Sequence, residues 1–264
     1  LFHSQSVRKI YRIQHTKIGK MRWLSQLEIM TLLQRALRRA KVPVAYSEGF
    51  NPHPRLSFGP ALPVGTEGLA ELLDMEITLP VDPVEIENRL NPELPEGLSL
   101  LKIWEIPFGG PSLNQAISGF AYEVGMGGSG SGLSPSLRLL DGLTAQGVAL
   151  EDVEGAIDLP NLILVKRKGH GDRAGYKREK AVNVRPYIEE VRWISRDRLS
   201  LFLKNVGGTC CRPAEVIEGI FGPCVAQDEL RIIRTGLYAS VQGQWVPMEL
   251  TLAKLSALGT FVAC

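Results

Sequence analysis

One stretch decides the fold, because it has the pattern of a half-buried β-strand: Glu71-Leu72-Leu73-Asp74-Met75-Glu76-Ile77-Thr78-Leu79. Successive side chains of a strand point to opposite faces of a sheet. The apolar side chains at the odd-numbered positions 73–79 are therefore predicted to point into a core, and the polar side chains at positions 74–78 to point outward. The stretch predicts a sheet with one covered face.

The segment before this strand predicts an amphipathic helix that covers the sheet. Ser25 and Glu28 form a capping box, in which serine and glutamate satisfy each other's free backbone N–H groups. Apolar residues follow on one arc of about 120°, and Pro43 ends the helix. The arc consists of Ile29, Met30, Leu33, Ala36, Leu37 and Ala40, and the opposite side carries Arg35, Arg38 and Arg39.

Strand and helix signals alternate along the first part of the chain in the order β-α-β-β-α-β. The predicted strands lie at 9–24, 44–50 with its return 55–59, 71–79 and 98–106, and a second helix starts at Asp82-Pro83. This order is typical of the ferredoxin-like arrangement. A second series predicts strands at 117–126, 162–166, 181–184, 198–206 and 231–239, with helices at 135–146 and 212–220. We therefore predict an α+β protein of two tandem ferredoxin-like (βαββαβ) halves.

Breaks in these patterns predict the domain boundaries. The chain starts at Leu1 with a polar stretch that lacks periodicity, which favours a linker from an upstream domain. Gly109-Gly110-Pro111 separates the two series. The predicted order is a linker at 1–8, a first half at 9–108, a linker at 109–116, a second half at 117–240 with a flexible Gly/Ser loop at 127–132, and a C-terminal tail at 241–264.

Composition predicts a soluble protein of the cytoplasm. Hydrophobic residues make up 44% and charged residues 22% of the chain, which is ordinary globular composition. The four cysteines include no Cys-x-x-Cys pair, and no signal peptide or membrane-spanning apolar run is present. We expect a reducing compartment and no membrane partner.

The net charge of +2 conceals a strong pattern of basic and acidic blocks. Residues 1–60 hold 11 Lys/Arg against 2 Asp/Glu, residues 61–160 hold 3 against 16, and residues 161–204 hold 12 against 5. Such asymmetry suggests an anionic partner. The alternative is that the basic blocks pair with the acidic block within the fold.

The sequence lacks the common catalytic motifs. It has no Cys-x-x-x-Cys-x-x-Cys cluster motif, P-loop, dinucleotide fingerprint, Gly-x-Ser-x-Gly elbow or His-Glu-x-x-His. The four histidines are too widely spaced to resemble metal ligands. We expect that this chain alone is not an enzyme and holds no metal.

Two features of the first half predict a nucleic-acid site. Arginine forks suit phosphate oxygens, and the cations predicted to contact phosphates are Lys17, Arg22, Arg35, Arg38, Arg39 and Arg55. His53 lies between two prolines near Tyr46 and Phe50, so these rings are candidates for stacking on a base. His53 is also a weak candidate for a catalytic acid or base. The alternatives are a solvated helix face and a rigid structural turn.

The second half contributes further basic candidates. Lys166, Arg167 and Lys168 begin a basic, glycine-rich loop at 166–178 that is typical of a nucleic-acid-binding finger. Arg212, at the start of a helix, is a candidate anion ligand. A solvated loop and a simple helix entry are the alternatives.

Several motifs resemble the radical-SAM-linked bacterial domain of unknown function, over about residues 9–240. They are Met21-Arg22-Trp23-Leu24-Ser25, Arg35-Ala36-Leu37-Arg38-Arg39-Ala40, residues 46–54 with Gly49-Phe50-Asn51-Pro52-His53-Pro54, residues 57–63, Gly65-Thr66-Glu67, Arg185-Pro186, Arg212-Pro213-x-Glu215-Val216 and Arg234-Thr235-Gly236-Leu237-Tyr238. Arg185 joins the predicted nucleic-acid-binding residues from this set. The chain departs from the pattern at Cys210-Cys211 and in the loop at 127–132.

The resemblance implies a domain fused behind, or encoded beside, a radical SAM enzyme with a cobalamin-binding-type region. An iron–sulfur cluster and S-adenosylmethionine are then expected in the parent or partner, and no cofactor in this chain. Similarity to proteins encoded near ribonuclease genes points toward RNA. The resemblance assigns no catalytic residue.

We therefore predict an accessory, substrate-binding domain of a radical SAM protein that binds RNA, either tRNA or rRNA. The arginines of the first helix and the His53 turn are expected to converge in one cationic pocket lined by rings. The alternatives are a protein–protein docking module for the radical SAM core and a His53-dependent RNA-processing domain.

Overall fold

The computed structural model describes residues 8–126, 164–168, 179–195, 198–221 and 230–250. The predicted helix at 135–146, the Gly/Ser loop at 127–132 and residues 169–178 of the basic loop lie outside the described residues. The chain divides into two compact units, and each is described by itself. The first comprises Leu1–Ser118 and Arg234–Cys264, and the second comprises Gly119–Ile233.

The first unit is built on an antiparallel sheet. Its elements are β1 (Lys9–Lys17), α1 (Gln26–Arg39), β2 (Leu56–Phe58), β3 (Glu67–Ile77), α2 (Pro83–Leu90), β4 (Leu100–Ile106) and α3 (Leu113–Ala116), with the later strand β11 (Gln244–Pro247) and the part of β10 (Leu230–Val241) from Arg234 onward. β1 lies between β4 and β3 and is antiparallel to both. β2 pairs with β3, β10 also neighbours β3, and β11 pairs with β10.

Two helices cover one face of this sheet, as the alternation of β3 predicts. Leu73, Met75 and Ile77 are buried together with Tyr11 and Ile13 of β1. The apolar stripe of α1 and the buried residues of α2 complete the same core: Ile29, Leu33, Ala36, Leu37, Ile86 and Leu90. The even-numbered residues of β1 and β3 therefore face the other side of the sheet.

The predicted starts of both helices are confirmed. Ser25 Oγ accepts a hydrogen bond from the N–H of Glu28 at 3.3 Å, and Glu28 accepts one from the N–H of Ser25 at 2.7 Å. Asp82 accepts from the N–H of Val84 at 2.8 Å at the start of α2. These side chains satisfy backbone donors that have no partner inside the helix.

Two predicted strands are wrong in extent. The strand predicted at 9–24 ends at Lys17, because Gly19 has a φ of 60° and residues 19–23 form a 3₁₀ turn. Residues 44–50 form no strand and make isolated bridges only, Val44 to Ile77 and Tyr46 to Pro54. Flanking prolines cannot donate to a ladder and fix φ, which prevents regular pairing here.

The second unit is also rich in strands. Its elements are β5 (Gly119–Met126), β6 (Leu164–Lys168), β7 (Glu179–Asn183), β8 (Ile188–Ser195), β9 (Arg198–Lys204) and α4 (Pro213–Phe221). β9 pairs antiparallel with β5 and β8, and β6 pairs with β7. Sequence analysis missed β8, because register shifts near both its ends break the period of two. A mixed fold with many strands and few helices is confirmed across the described residues.

Candidate functional site

Three of the five first-half arginines predicted to contact phosphates already have carboxylate partners, and so does Arg12 of the same basic block. Each partner lies in the acidic middle segment. The pairs are Arg12 with Asp74 at 2.7 Å, Arg22 with Glu67 at 3.8 Å, Arg39 with Glu93 at 2.6 Å and Arg55 with Glu76 at 3.5 Å. Internal pairing, the alternative to an anionic partner, therefore accounts for much of the first basic block.

Three cations at the C-terminal end of α1 keep their charge unpaired. Arg35, Arg38 and Lys41 are exposed, and none makes an ion pair within the part of the chain that the structure describes. Arg35 and Arg38 are three residues apart and therefore neighbours on the helix surface. We call these three residues the α1 patch.

The proline-rich turn presents its rings to solvent. Tyr46 is 48% exposed, Phe50 is fully exposed and His53 is exposed. The backbone is held by two hydrogen bonds, from the N–H of Ser47 to the carbonyl of His53 at 2.8 Å and from the N–H of His53 to Ser47 Oγ at 3.0 Å. The turn is therefore a braced loop with an apolar ring at its tip.

The structure does not bring the α1 arginines and the neighbourhood of the turn into one pocket. Arg35 and Arg39 line a shallow depression between α1 and residues 92–95. Arg55 instead lines a cavity of about 450 Å³ together with Arg12 and Asp74, whose side chains lie on the sheet face away from α1. The predicted residues therefore form separate surfaces.

The cavity beside Arg55 is close to neutral in charge. Arg12 donates two hydrogen bonds to the carboxylate of Asp74, at 2.7 and 2.9 Å, and both side chains are largely buried. Glu76 Oε2 is buried without a hydrogen bond and lies 3.5 Å from Arg55. Balanced pairs of this kind do not make a phosphate site.

Lys17 is the predicted residue whose position differs most from expectation, because it lies inside the first unit. Its exposed fraction is 4%. β1 places Tyr11 and Ile13 in the core, and His15 and Lys17 are also buried at the end of the strand, where the register with β3 shifts between them. Glu71 of β3 also takes an inward position, directly opposite His15. Three ionisable side chains thus occupy positions that the pattern reserves for apolar residues.

A buried arginine from β10 completes this group. Arg234, 2% exposed, donates from Nε to Glu71 Oε1 at 2.8 Å and from Nη2 to Glu71 Oε2 and to the carbonyl of Pro60, the last at 2.8 Å. Both oxygens of Glu71 are therefore occupied by one guanidinium. We call His15, Lys17, Glu71 and Arg234 the buried ionic cluster.

A glycine makes room for the acid of this cluster. A Cβ atom at Gly68 would lie 2.6 Å from both Cγ and Oε1 of Glu71, closer than real contacts allow. The Glu71 side chain therefore lies over the backbone of Gly68. No larger residue fits at position 68 unless Glu71 shifts.

Burial lowers the pKa of both nitrogen bases in the cluster. Desolvation lowers the pKa of His15, and the charge of Glu71 opposes this shift without reversing it. Desolvation likewise lowers the pKa of Lys17, against the attraction of Glu71. Buried bases with depressed pKa values are typical of functional sites.

Lys17 and His15 line a small cavity between β1, α1 and residues 58–62. The cavity measures about 30 Å³. The other lining residues are Gln26 and Ile29 of α1, Glu71 and Leu72 of β3, and Phe58, Gly59, Pro60 and Leu62. Lys17 makes no hydrogen bond or ion pair within the described residues. The cavity is therefore bordered by three ionisable members of the cluster, His15, Lys17 and Glu71, among apolar neighbours.

The remaining predicted residues belong to the second unit. Lys166, Arg167 and Lys168 end β6, where the backbone pairs with β7. Arg185 donates to the carbonyl of Ile188 at 3.0 Å. Arg212 is exposed before α4, and its N–H donates to Glu215 at 2.9 Å. That bond caps the start of α4, so this backbone N–H is no longer free to bind an anion at the predicted site.

Sequence analysis missed three members of the buried ionic cluster: His15, Glu71 and Arg234. A signal was available for two of them, because His15 and Glu71 interrupt the apolar face of a predicted strand. Arg234 is 163 residues from Glu71 in sequence, so no local pattern connects the two.

A bacterial protein family described as "uncharacterized protein conserved in bacteria (DUF2344)" matches residues 10–213. No curated protein matches the chain. In the described part of the chain, no helix has the length and apolarity needed to cross a membrane. The same residues contain no group of three or more His, Cys, Asp or Glu side chains suited to hold a metal ion.

Proposed function

The chain belongs to the DUF2344 family, and we propose that it is an accessory, substrate-binding domain that holds RNA for a radical SAM enzyme. That enzyme is either part of the same polypeptide or the product of a neighbouring gene. It would supply the iron–sulfur cluster and S-adenosylmethionine, while this chain supplies binding. The proposal includes the ferredoxin-like arrangement of both halves, which the pairing of β1 with β4 and of β3 with both β1 and β2 supports for the first unit.

The α1 patch is the observation that carries this proposal. Arg35, Arg38 and Lys41 remain unpaired although carboxylates pair with four other arginines of the same basic block. Exposed arginines on one helix face offer the positive charge and the fork of N–H donors that suit phosphate oxygens. We therefore assign phosphate contact to the α1 patch and not to the larger ring-lined pocket that the sequence predicts.

The exposed turn extends the proposal from phosphates to bases. Phe50 is fully exposed on a backbone braced by Ser47 and His53, so its ring is available for stacking without rearrangement. Because the turn and the α1 patch form separate surfaces, a bound RNA would contact each through a different segment. A folded RNA such as tRNA has the size to do so.

The test is a titration of the full chain with bulk bacterial tRNA at several salt concentrations. The variant Arg35→Gln/Arg38→Gln/Lys41→Gln removes the α1 patch. We expect a large loss of affinity and a fall of about 2 in the slope of log K against log salt, since each single-strand phosphate contact contributes about 0.7.

A matched control removes three cations that carboxylates already hold. Lys9, Arg89 and Lys204 pair with Glu105, Glu85 and Glu189, so Lys9→Gln/Arg89→Gln/Lys204→Gln changes the net charge equally outside the patch. Binding and slope should stay close to those of the unmodified chain. Equal losses in both triple variants, or binding without a salt slope, would refute the proposal.

Replacement of the ring at the tip of the turn tests the stacking step separately. Base stacking on an aromatic side chain contributes about 1–3 kcal/mol, so Phe50→Ala should weaken RNA binding roughly 5- to 150-fold without changing the salt slope. Because Phe50 is fully exposed, its removal should leave folding unchanged. Unaltered affinity would restrict RNA contact to the α1 patch.

Protein docking onto the radical SAM core is the second candidate function. The full exposure of Phe50 favours it, because isolated aromatic anchors are common at protein interfaces. This function predicts a stable complex with the core that Phe50→Ala weakens and that moderate salt leaves intact. The predicted role of His53 as a catalytic residue stays a prediction.

A further inference from the structure

The cavity beside Arg55 has the size and the lining of a small-ligand site. Its volume of about 450 Å³ lies within the range of roughly 300–1,000 Å³ that is typical of ligand pockets. Every residue that lines it belongs to the first unit. Its walls are mainly apolar and include Ile10, Leu56, Ile106 and Met248. We call this space the Arg55 cavity.

Two ion pairs supply the charged groups of the cavity, and their charges cancel. Arg12 is joined to Asp74 by two hydrogen bonds, at 2.7 and 2.9 Å, so this pair is closed. Arg55 Nη1 lies 3.5 Å from Glu76 Oε2, and the two side chains share no hydrogen bond. Because two positive charges stand against two negative charges, the cavity favours a ligand without net charge.

The open pair, Arg55 with Glu76, has unused hydrogen-bonding capacity. Within the described residues, neither side-chain oxygen of Glu76 accepts a hydrogen bond, and Oε2 is buried. Arg55 donates from Nε to the carbonyl of Tyr46 at 3.3 Å, which leaves its Nη groups without a hydrogen-bond acceptor among those residues. Polar groups in such positions are usually hydrogen-bonded, because an unmade bond is costly. The two side chains are 36% and 22% exposed, so a ligand can reach them.

A nucleobase offers the chemistry that this cavity lacks. Each RNA base is a flat, uncharged ring with an N–H donor beside an acceptor on its pairing edge, and proteins read unstacked bases through that edge. Extruded bases are held between aromatic or apolar side chains. Arg55 also connects the cavity to the proline-rich turn, because Tyr46 of that turn accepts its Nε hydrogen bond. The cavity therefore adjoins the segment that carries the exposed ring of Phe50.

We propose that the Arg55 cavity binds one unstacked nucleobase. The base donates an N–H to the carboxylate of Glu76 and accepts a hydrogen bond from an Nη group of Arg55, while its ring lies against the apolar walls. The choice of a nucleobase as the occupant rests on the RNA function proposed above. A base within RNA and a free nucleoside share this chemistry, and the experiment distinguishes the two sources.

The experiment uses nuclear magnetic resonance of the full chain labelled with ¹³C in its methionine methyl groups. Met248 lines the cavity, whereas Met75 lies in the core on the other face of the sheet. Adenosine, guanosine, cytidine and uridine are added in turn, with ribose as the control. At least one nucleoside should shift the Met248 signal in a saturating manner and leave that of Met75 nearly unchanged. No saturating shift with any nucleoside, or an equal shift with ribose, would overturn the proposal.

Two variants assign the contact to Glu76. Glu76→Gln removes the charge of the acceptor and should weaken the affinity for the effective nucleoside roughly tenfold, because a charged acceptor forms the stronger hydrogen bond. Glu105→Gln is the matched control, since this exposed carboxylate pairs with Lys9 outside the cavity. It should bind the nucleoside as the unmodified chain does. Equal affinities of the two variants would refute the assignment.

A change in the ligand covers the case in which Glu76→Gln does not fold. The effective nucleoside is compared with its counterpart methylated at the donor nitrogen of the pairing edge, such as 3-methyluridine against uridine. The methylated form lacks the N–H that Glu76 accepts, so the unmodified chain should bind it at least tenfold more weakly. Equal affinity for both forms would overturn the proposed contact.

A short oligonucleotide identifies the source of the base. A single-stranded tetranucleotide of the effective base should bind more tightly than the nucleoside if RNA is the ligand, and Phe50→Ala should remove that gain. Equal affinity for the two would identify the free nucleoside as the ligand of the cavity. Nucleosides carry no phosphate, so their binding does not depend on the α1 patch. The RNA proposal and the Arg55 cavity therefore fail separately.

Discussion

The ion pair between Glu71 and Arg234 permits a quantitative prediction, because both side chains are buried and mutually satisfied. Arg234 is 2% and Glu71 8% exposed, and two hydrogen bonds join them. Removing one partner of such a pair leaves an uncompensated buried charge, which typically costs about 3–5 kcal/mol. Glu71→Gln should therefore lower the free energy of unfolding by about 3 kcal/mol.

Replacement of the arginine should cost more than replacement of the acid. Arg234 also donates to the carbonyl of Pro60 at 2.8 Å, so Arg234→Met removes a further hydrogen bond worth about 1 kcal/mol. The double variant Glu71→Gln/Arg234→Met buries no unpaired charge from this pair. We expect its cost to be smaller than the sum of the single costs by about 2–3 kcal/mol.

Urea unfolding of the full chain measures this cycle. In a Trp193→Phe background, the three remaining tryptophans, Trp23, Trp104 and Trp245, all belong to the first unit and report its transition. The variants should lower the urea concentration at which half of the protein is unfolded. The slope of the free energy of unfolding against urea concentration should stay the same. Additive single costs, within about 0.5 kcal/mol, would refute the inference that the pair is satisfied mutually.

Four further predictions concern the same region. Lys17→Met should stabilise the chain at neutral pH. The gain should shrink as the pH rises toward 10.5, because burial lowers the pKa of Lys17, so the unfolded chain binds this proton more strongly and the unmodified protein gains stability with pH. The unmodified chain should lose stability as the pH falls below about 6.5, since burial lowers the pKa of His15, and His15→Phe should reduce this loss in thermal scans. Gly68→Ala should destabilise the first unit in urea and reduce the coupling within the Glu71 pair, because its Cβ would meet Glu71 at 2.6 Å. Ser25→Ala should cost about 1 kcal/mol, measured by urea unfolding, through loss of the cap of α1.

Local patterns were sufficient to predict the helices and the central strand of the first unit. The capping box at Ser25 and Glu28 and the apolar stripe of α1 both depend on neighbours within a few residues. The alternation around Met75 likewise predicts β3 and its buried face. These signals are local, and the structure confirms them.

Long-range pairing was beyond the sequence pattern. The four arginine–carboxylate pairs join residues that are 21 to 62 positions apart only after the strands and helices pack, so the sequence could not decide between internal pairing and an anionic partner. The strand predicted at 44–50 failed for a different reason, because its flanking prolines remove backbone donors and outweigh its apolar content. Leu79, predicted to be buried, lies beyond the end of β3 and is 61% exposed.

The sequence therefore contains two signals from charged residues, and the structure gives them different outcomes. The strongest signal in the sequence, a block of arginines, is largely taken up by internal ion pairs, and the α1 patch has none within the described residues. A weaker signal, the ionisable residues at inward positions of β1 and β3, marks the buried ionic cluster. A surface charge costs little to retain, whereas a buried ion pair is costly once one partner is removed. The double-mutant cycle on Glu71 and Arg234 therefore tests the second signal without any assumption about RNA.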